Sequence, residues 1–324
     1  MTVYQTEAPI PELRSRLIRP LISFALCIVV VAILALYAPS FFKLNNIINI
    51  LVQTSTLAVM AVGMAIVMIG GGIDLSLPFN AAMSAVLGAM YMRTTGDPAG
   101  GLAVMIVTAI AIGAFNGIAV GYFRMIPFVV TLAMMTVANG AAVWLTNSIS
   151  IADIPDAFVD PFFRRYLGIP LSVYIAVVVS LFAILLSSIT VYGRWLYAVG
   201  INSKAARVAR IPDRKVIALS YVIAGLMAGI AAIMLTGRLA SASANLASPT
   251  IVLDVVSACV VGGISVYGGS GKIHGAIFGA LFMTLLNNAL NAAEVTIYVN
   301  QIVRGAIIVA FVAFDRFAAR GIAR

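Results

Sequence analysis

Apolar residues run along this chain in long blocks rather than in alternation, and polar or turn-forming residues are confined to the gaps between blocks. Ten apolar segments can be marked, at 20–38, 47–69, 76–92, 101–123, 127–146, 171–190, 216–236, 251–267, 273–291 and 298–314. Each approaches the length of a membrane-crossing helix, which needs about 20 mainly apolar residues. Unbroken runs predict helices, because the strands of a membrane barrel alternate lipid-facing and lumen-facing residues. Two glycine-rich elements interrupt the pattern, Gly70-Gly71-Gly72-Ile73-Asp74-Leu75-Ser76 and Gly262-Gly263-Ile264-Ser265-Val266-Tyr267-Gly268-Gly269-Ser270-Gly271. The expected fold is all-α, a polytopic integral membrane helical bundle of about ten transmembrane helices. It divides into a short tail at 1–19, a transmembrane domain at 20–316 containing a charged loop at 192–215, and a second tail at 317–324.

Composition excludes a soluble enzyme. Of the 324 residues, 62% are hydrophobic and 10% charged, against about 25% charged in an ordinary soluble domain. The ten segments leave no room for a sizeable extramembrane domain. The basic run Arg14, Arg16, Arg19 before residue 21 has the look of a signal peptide, but Pro39 follows the apolar stretch where small residues would be needed for cleavage, so a retained first span is expected.

The net charge of +9 takes its meaning from where the charges fall. With ten spans and a cytoplasmic N-terminus, 14 of the 20 basic residues gather on one side, among them Arg124, Arg194, Lys204, Arg207, Arg210, Arg214, Lys215 and Lys272. Lys43, Arg93, Arg164, Arg165 and Arg238 fall on the other, and Arg304 lies inside the last span. Basic residues accumulate in cytoplasmic loops, so both termini are expected in the cytoplasm. The positive charge reads as topology, not as a nucleic-acid surface.

Few side chains offer chemistry. His274 is the sole histidine, and Cys27 and Cys259 both lie within apolar runs, so neither a metal cluster nor a catalytic triad is available. The stretch Gly268 to Lys272 resembles a phosphate-binding loop only briefly. Val266 stands where the first glycine of that motif belongs and Ile273 where its Ser or Thr belongs. Asp74 and Asp254 are the carboxylates within or beside spans, where a charge costs on the order of 3 kcal/mol. Such a group either lines a pathway or, for Asp74 ahead of Leu77, caps a helix start. Asn116, Asn139, Asn287, Asn288 and Asn291 add amides to the spans. Asn287 and Asn291 share a helix face, turned either to a partner helix or to an aqueous path. Neutral amides suit a hydroxyl-rich substrate better than a charged one.

The segment from Ala198 to Pro212 is the most unusual gap. Asn202 or Ser203 can cap a helix, Lys204 to Ala209 favour one, and Pro212 closes it after about two turns. So short a helix needs a partner to be stable. The competing reading of this loop is a positive anchor that does no more than fix topology.

At Gly71-Gly72-Ile73-Asp74-Leu75-Ser76, at Arg124 to Leu132, at Gly200 to Ile211, at Leu253-Asp254 through Gly268-Gly269 and at Leu285 to Asn291, the chain resembles the permease subunits of ribose-type ABC importers. The resemblance spans nearly the whole chain. It implies a transport subunit in the bacterial inner membrane that performs no bond chemistry. It also implies a second permease copy, identical or related, forming a dimer with it. A separate ATPase subunit would carry ATP and Mg, and a periplasmic binding protein would deliver a monosaccharide to the permease. Gly200, Asn202, Ala205, Ala206, Arg207 and Ile211 become candidates for coupling to that ATPase, with Ala205 and Ala206 small enough for close approach and Arg207 able to bond the partner. Gly71, Gly72, Asp74, Ser76, Asn116, Asp254, Asn287 and Asn291 become candidates for the translocation pathway or its gating, the glycine-rich elements as hinges. Where such permeases usually carry glycine, this chain has Arg210, and Leu77-Pro78 replaces their Val-Gly. The competing readings are an ion-coupled secondary carrier, and an ABC permease for branched-chain amino acids or nucleosides.

Overall fold

The computed structural model describes residues 41–293 together with 28, 32, 296, 298–306, 309 and 310. The tails 1–19 and 317–324 and nearly all of the predicted span 20–38 lie outside the described residues, and the predicted span 298–314 is described in part. The chain divides into two compact units, residues 42–285 and the paired ends 1–41 with 286–324.

Along the larger unit the helices are α1 Leu44–Ile69, α2 Leu77–Thr95, α3 Pro98–Gly121, α4 Pro127–Thr146 and the short α5 Asp156–Phe163. A two-residue hairpin, β1 Arg165–Tyr166 with β2 Ile169–Pro170, precedes α6 Leu171–Ile189. Then come α7 Val191–Ile201, the six-residue α8 Ser203–Val208, the long α9 Asp213–Leu239, α10 Pro249–Val261 and α11 Ile273–Ala292, whose residues from 286 onward belong to the other unit. Among the described residues, seven helical stretches are long and apolar enough to cross a membrane: α1, α3, α4, α6, α9, the stretch Ala244–Val261, and α11. α2 has 19 residues but carries Asn80, Ser84 and Arg93, which lower its apolar character.

Local chemistry sets several boundaries. α3 opens on Pro98 behind Asp97, whose carboxylate accepts from the backbone N–H groups of Ala99 and Gly100, both at 3.0 Å. α4 runs from Pro127 to Thr146, the bounds its hydropathy predicts, and closes on Asn147 in the left-handed region at φ 49°. The predicted span 251–267 is corrected. Its helix stops at Val261, because the backbone turns at Gly262 and Gly263 although Ile264, Val266 and Tyr267 prolong the apolar composition. The gap at 147–170 is not wholly irregular, since it holds α5 and the hairpin.

α1 lies at the centre, buried continuously from Ser55 to Ile69. The tightest seam joins α3 to α9. Gly113, Gly117 and Gly121, one turn apart on α3, lie against the backbone of α9, and a Cβ at Gly117 would run into the carbonyl of Ala218. Small residues in this spacing let two membrane helices meet backbone to backbone. Seen from α9, Ala109 of α3 lies against Gly225, near the middle of that helix, and Ala109 also accepts a 3.0 Å hydrogen bond from Asn80 Nδ2 of α2. Asn80 and its neighbour Phe79 therefore stand at mid-height of the bundle.

Past α9 the chain does not cross in one stroke. α10 has 13 residues, about 20 Å of helix against a hydrocarbon layer of about 30 Å. The stretch 240–248 ahead of it bridges Ala242 to Ile151, makes a 3-10 turn at Ala244–Leu246, and brings Ala247 into a cluster with Phe79, Ala82, Ala138 and Val252. Since Phe79 marks mid-height, irregular backbone enters the bundle there before α10 begins. The Ser248 hydroxyl caps α10 by accepting from the Ile251 N–H at 3.3 Å.

Candidate functional site

Helix α8 is closed at both ends by its own chain. Asn202, in extended conformation, accepts through Oδ1 from the backbone N–H groups of Lys204 and Ala205, both at 3.0 Å. At the other end the Ile211 N–H donates to the Ala206 carbonyl and the Arg210 N–H to that of Arg207, both at 3.0 Å, the paired bonds of a Schellman closure. This closure needs a left-handed residue, and Arg210 supplies it at φ 60°. The helix thus ends where a glycine would end it, although the residue is arginine.

The residues of this segment divide by exposure. Ile201 is 74% and Val208 87% exposed, with Lys204 and Ala205 beside them, whereas Ala206 is buried at 5%. The Arg207 guanidinium donates to Asp213 Oδ2 from Nη2 at 2.8 Å and from Nε at 3.2 Å, tying α8 to the first turn of α9. Of the candidate coupling residues, Ala206 is thus a buried methyl group, and Arg207 makes an internal ion pair while its side chain stays 47% exposed. The exposed face is made by Ile201, Asn202, Lys204, Ala205, Arg207 and Val208.

Behind this segment the two glycine-rich elements meet. The Gly269 N–H donates to the Ile69 carbonyl at 2.9 Å, and the Tyr197 hydroxyl of α7 donates to the Gly271 carbonyl at 2.8 Å. Gly200, at the end of α7, fits between them, since a Cβ there would collide with the Ile69 carbonyl and lie 2.6 Å from the Gly269 nitrogen. Gly268, at φ 87°, stands close enough to Gly71 that an added Cβ would come within 2.7 Å of its Cα. The helix leading to α8 therefore rests on both glycine elements, by backbone contact at Gly200 and by the Tyr197 hydroxyl on Gly271.

Deeper in the bundle, Asp74 is 2% exposed and accepts through Oδ1 from the Ser76 N–H at 3.0 Å and the Ser76 hydroxyl at 2.6 Å. Asn116 Nδ2 of α3 donates to that same hydroxyl at 2.9 Å. The Ile73 carbonyl next to Asp74 accepts from Thr131 Oγ1 of α4 at 3.3 Å and from the Tyr221 hydroxyl of α9 at 3.4 Å. Asp74 thus bonds the N-cap residue rather than capping the first turn of α2. One short loop gathers α3, α4 and α9 by polar contacts that a buried loop requires. Asp254 lies apart in sequence on α10 and is buried. In the other unit, Asn300 Nδ2 donates to Asn291 Oδ1 at 3.2 Å, and Arg304 Nε donates to Asn300 Oδ1 at 2.6 Å. Asn287 falls in the same unit.

Sequence reading missed Thr131, Tyr221, Tyr197 and Asp213. Thr131 and Tyr221 sit in ordinary apolar helices, Tyr197 lies in the segment expected to be a charged loop, and Asp213 is separated from Arg207 by a proline turn that no helical spacing rule spans.

Comparison with known proteins decides the family. The family described as "Branched-chain amino acid transport system / permease component" matches residues 46–312. The chain belongs to this permease family. The ribose import permease protein of Escherichia coli strain K12 is 36% identical over 89% of this chain and 91% of its own length. The D-allose transport system permease protein of the same strain is 31% identical over 92% of both chains. The L-arabinose ABC transporter permease protein of Azospirillum brasilense is 31% identical over 90% of this chain and 85% of its own. No solved structure matches. This permease is a multi-pass inner-membrane transport subunit and not an enzyme.

Proposed function

We propose that this permease forms the membrane pathway of an ATP-driven monosaccharide importer. The observation that carries the reading is similarity along about nine-tenths of the chain to permeases named for three different sugars, ribose, D-allose and L-arabinose. Neutral amides and hydroxyls around the buried loop agree with an uncharged substrate, and the ion-coupled alternative would need paired ionisable groups along a path.

In this reading both termini are cytoplasmic, about ten helices cross the membrane, and α8 docks on a separate ATPase that binds ATP and Mg. A periplasmic binding protein delivers the sugar, and a second copy, identical or related, completes the pathway. ATP binding at the ATPase moves α8. The backbone contacts at Gly200 carry that motion to Gly71, Gly72 and the loop of Asp74 and Ser76, which with Asn116, Asp254, Asn287 and Asn291 governs access. Packed backbones transmit displacement because they cannot compress.

The test is uptake of radiolabelled ribose, D-allose and L-arabinose by liposomes holding the permease with its ATPase and binding protein. ATP-dependent accumulation of one of them is expected. Accumulation driven by an ion gradient through the permease alone would overturn the reading.

A further inference from the structure

The irregular stretch 240–248 borders a cavity of about 340 Å³, within the range of about 300–1,000 Å³ typical of small-molecule sites. Its polar walls are Thr136 and Asn139 of α4 with Asn245 and Ser248 of the re-entrant stretch, and Phe79 of α2 adds an apolar wall. Phe79 and Ala247, both lining residues, belong to the cluster that stands at mid-height of the bundle. Non-helical backbone at membrane depth is tolerated where it is buried in protein or lines a water-filled cavity. Here it lines one.

The side chains around this space are neutral. Asn139 and Asn245 are exposed, and neither amide group has a hydrogen-bond partner among the described residues. Facing lipid, two such amides would each be costly to bury unpaired. Thr136 Oγ1 donates to its own helix at the Leu132 carbonyl, leaving its lone pairs to accept, and Ser248 Oγ accepts from the Ile251 N–H, leaving its proton to donate. The wall therefore offers donors and acceptors in mixture, with apolar edges between them and no charge.

Resting on the importer reading, we infer that this cavity is a substrate subsite in the pathway, where Asn139 and Asn245 hold a neutral polyhydroxylated solute of monosaccharide size. The amides exchange hydrogen bonds with hydroxyl groups as the solute sheds water, and the absence of charge lets it leave again.

The test uses the complete assembly in liposomes, with whichever of ribose, D-allose and L-arabinose the unaltered permease accumulates. Asn139→Leu and Asn245→Leu are each expected to lower initial uptake about tenfold, the loss of one or two well-placed hydrogen bonds, while ATP hydrolysis stimulated by the binding protein persists. Unchanged uptake in both variants overturns the subsite and leaves the importer reading standing. No uptake of any of the three sugars by the unaltered assembly removes both. Should the leucine variants fail to assemble, Asn245→Cys carries the test in a chain lacking Cys27 and Cys259. A charged, water-soluble thiol reagent is expected to label it in membranes and block uptake, and a thiol that stays unlabelled overturns the proposal.

Discussion

Helices α3 and α4 are consecutive, similar in length and both strongly apolar, yet they are packed by opposite rules. α3 meets α9 through Gly113, Gly117 and Gly121, so the contact is made by backbone, and the space a side chain would fill belongs to the neighbour. α4 turns Val137, 62% exposed, and Trp144, 78% exposed, away from the chain's own interior. In a membrane, apolar side chains gain nothing by leaving lipid for protein, so a tight seam is made by removing side chains. Apolar content identifies a span, whereas the spacing of its smallest residues identifies which face another helix occupies.

That contrast can be broken most sharply at the seam. Gly117→Leu would force α3 from α9 and is expected to cost about 3 kcal/mol, read as loss of monodisperse protein after detergent extraction. The same rule applied to α8 separates its two faces. Val208→Asp should weaken association with the ATPase about tenfold, or about 1.4 kcal/mol, and leave the yield of folded permease unchanged. Ala206→Asp should instead lower that yield, because Ala206 is buried; pull-down with the ATPase and quantified membrane yield decide between them. Arg210→Gly should stabilise the chain by about 1 kcal/mol, since a left-handed non-glycine residue costs roughly that much, offset in part by the freedom glycine gains when unfolded. Thermal denaturation of the purified permease would show the rise. Smallest of all, Val137→Leu on the outward face of α4 should shift stability by less than about 0.5 kcal/mol, and a larger drop in the same melt would mean that another protein surface covers that face.

The apolar blocks made eight of the ten predicted spans legible as helices, because a run such as 127–146 is bounded by Pro127 and Asn147, residues that set backbone angles as well as polarity. Legibility failed where composition and conformation part company. Ile264, Val266 and Tyr267 are apolar but not helical, and the short alternation Ala-Ser-Ala-Ser-Ala-Asn at 240–245 has no large apolar residue to reveal that it enters the bundle. Among the candidate residues, Asn202 as a cap was legible from local chemistry, and so was Asp74 as a costly charge. The seat of Gly200 against Ile69 and Gly269 was not, because three segments remote in sequence define it. Likewise the inward turn of Ala206 depends on tertiary packing that neighbouring residues do not encode.

The double closure of α8 bears on the speed of assembly. A six-residue helix in isolation is almost entirely unwound, and a partner that had to fold it would give up part of its affinity to ordering the loop. With Asn202 fastening one end, the Arg210 turn the other and Asp213 holding Arg207, that ordering precedes contact. In the proposed importer, an ATPase docking on this surface would meet an already folded knob, and association would be governed by collision and orientation rather than by the folding of the loop.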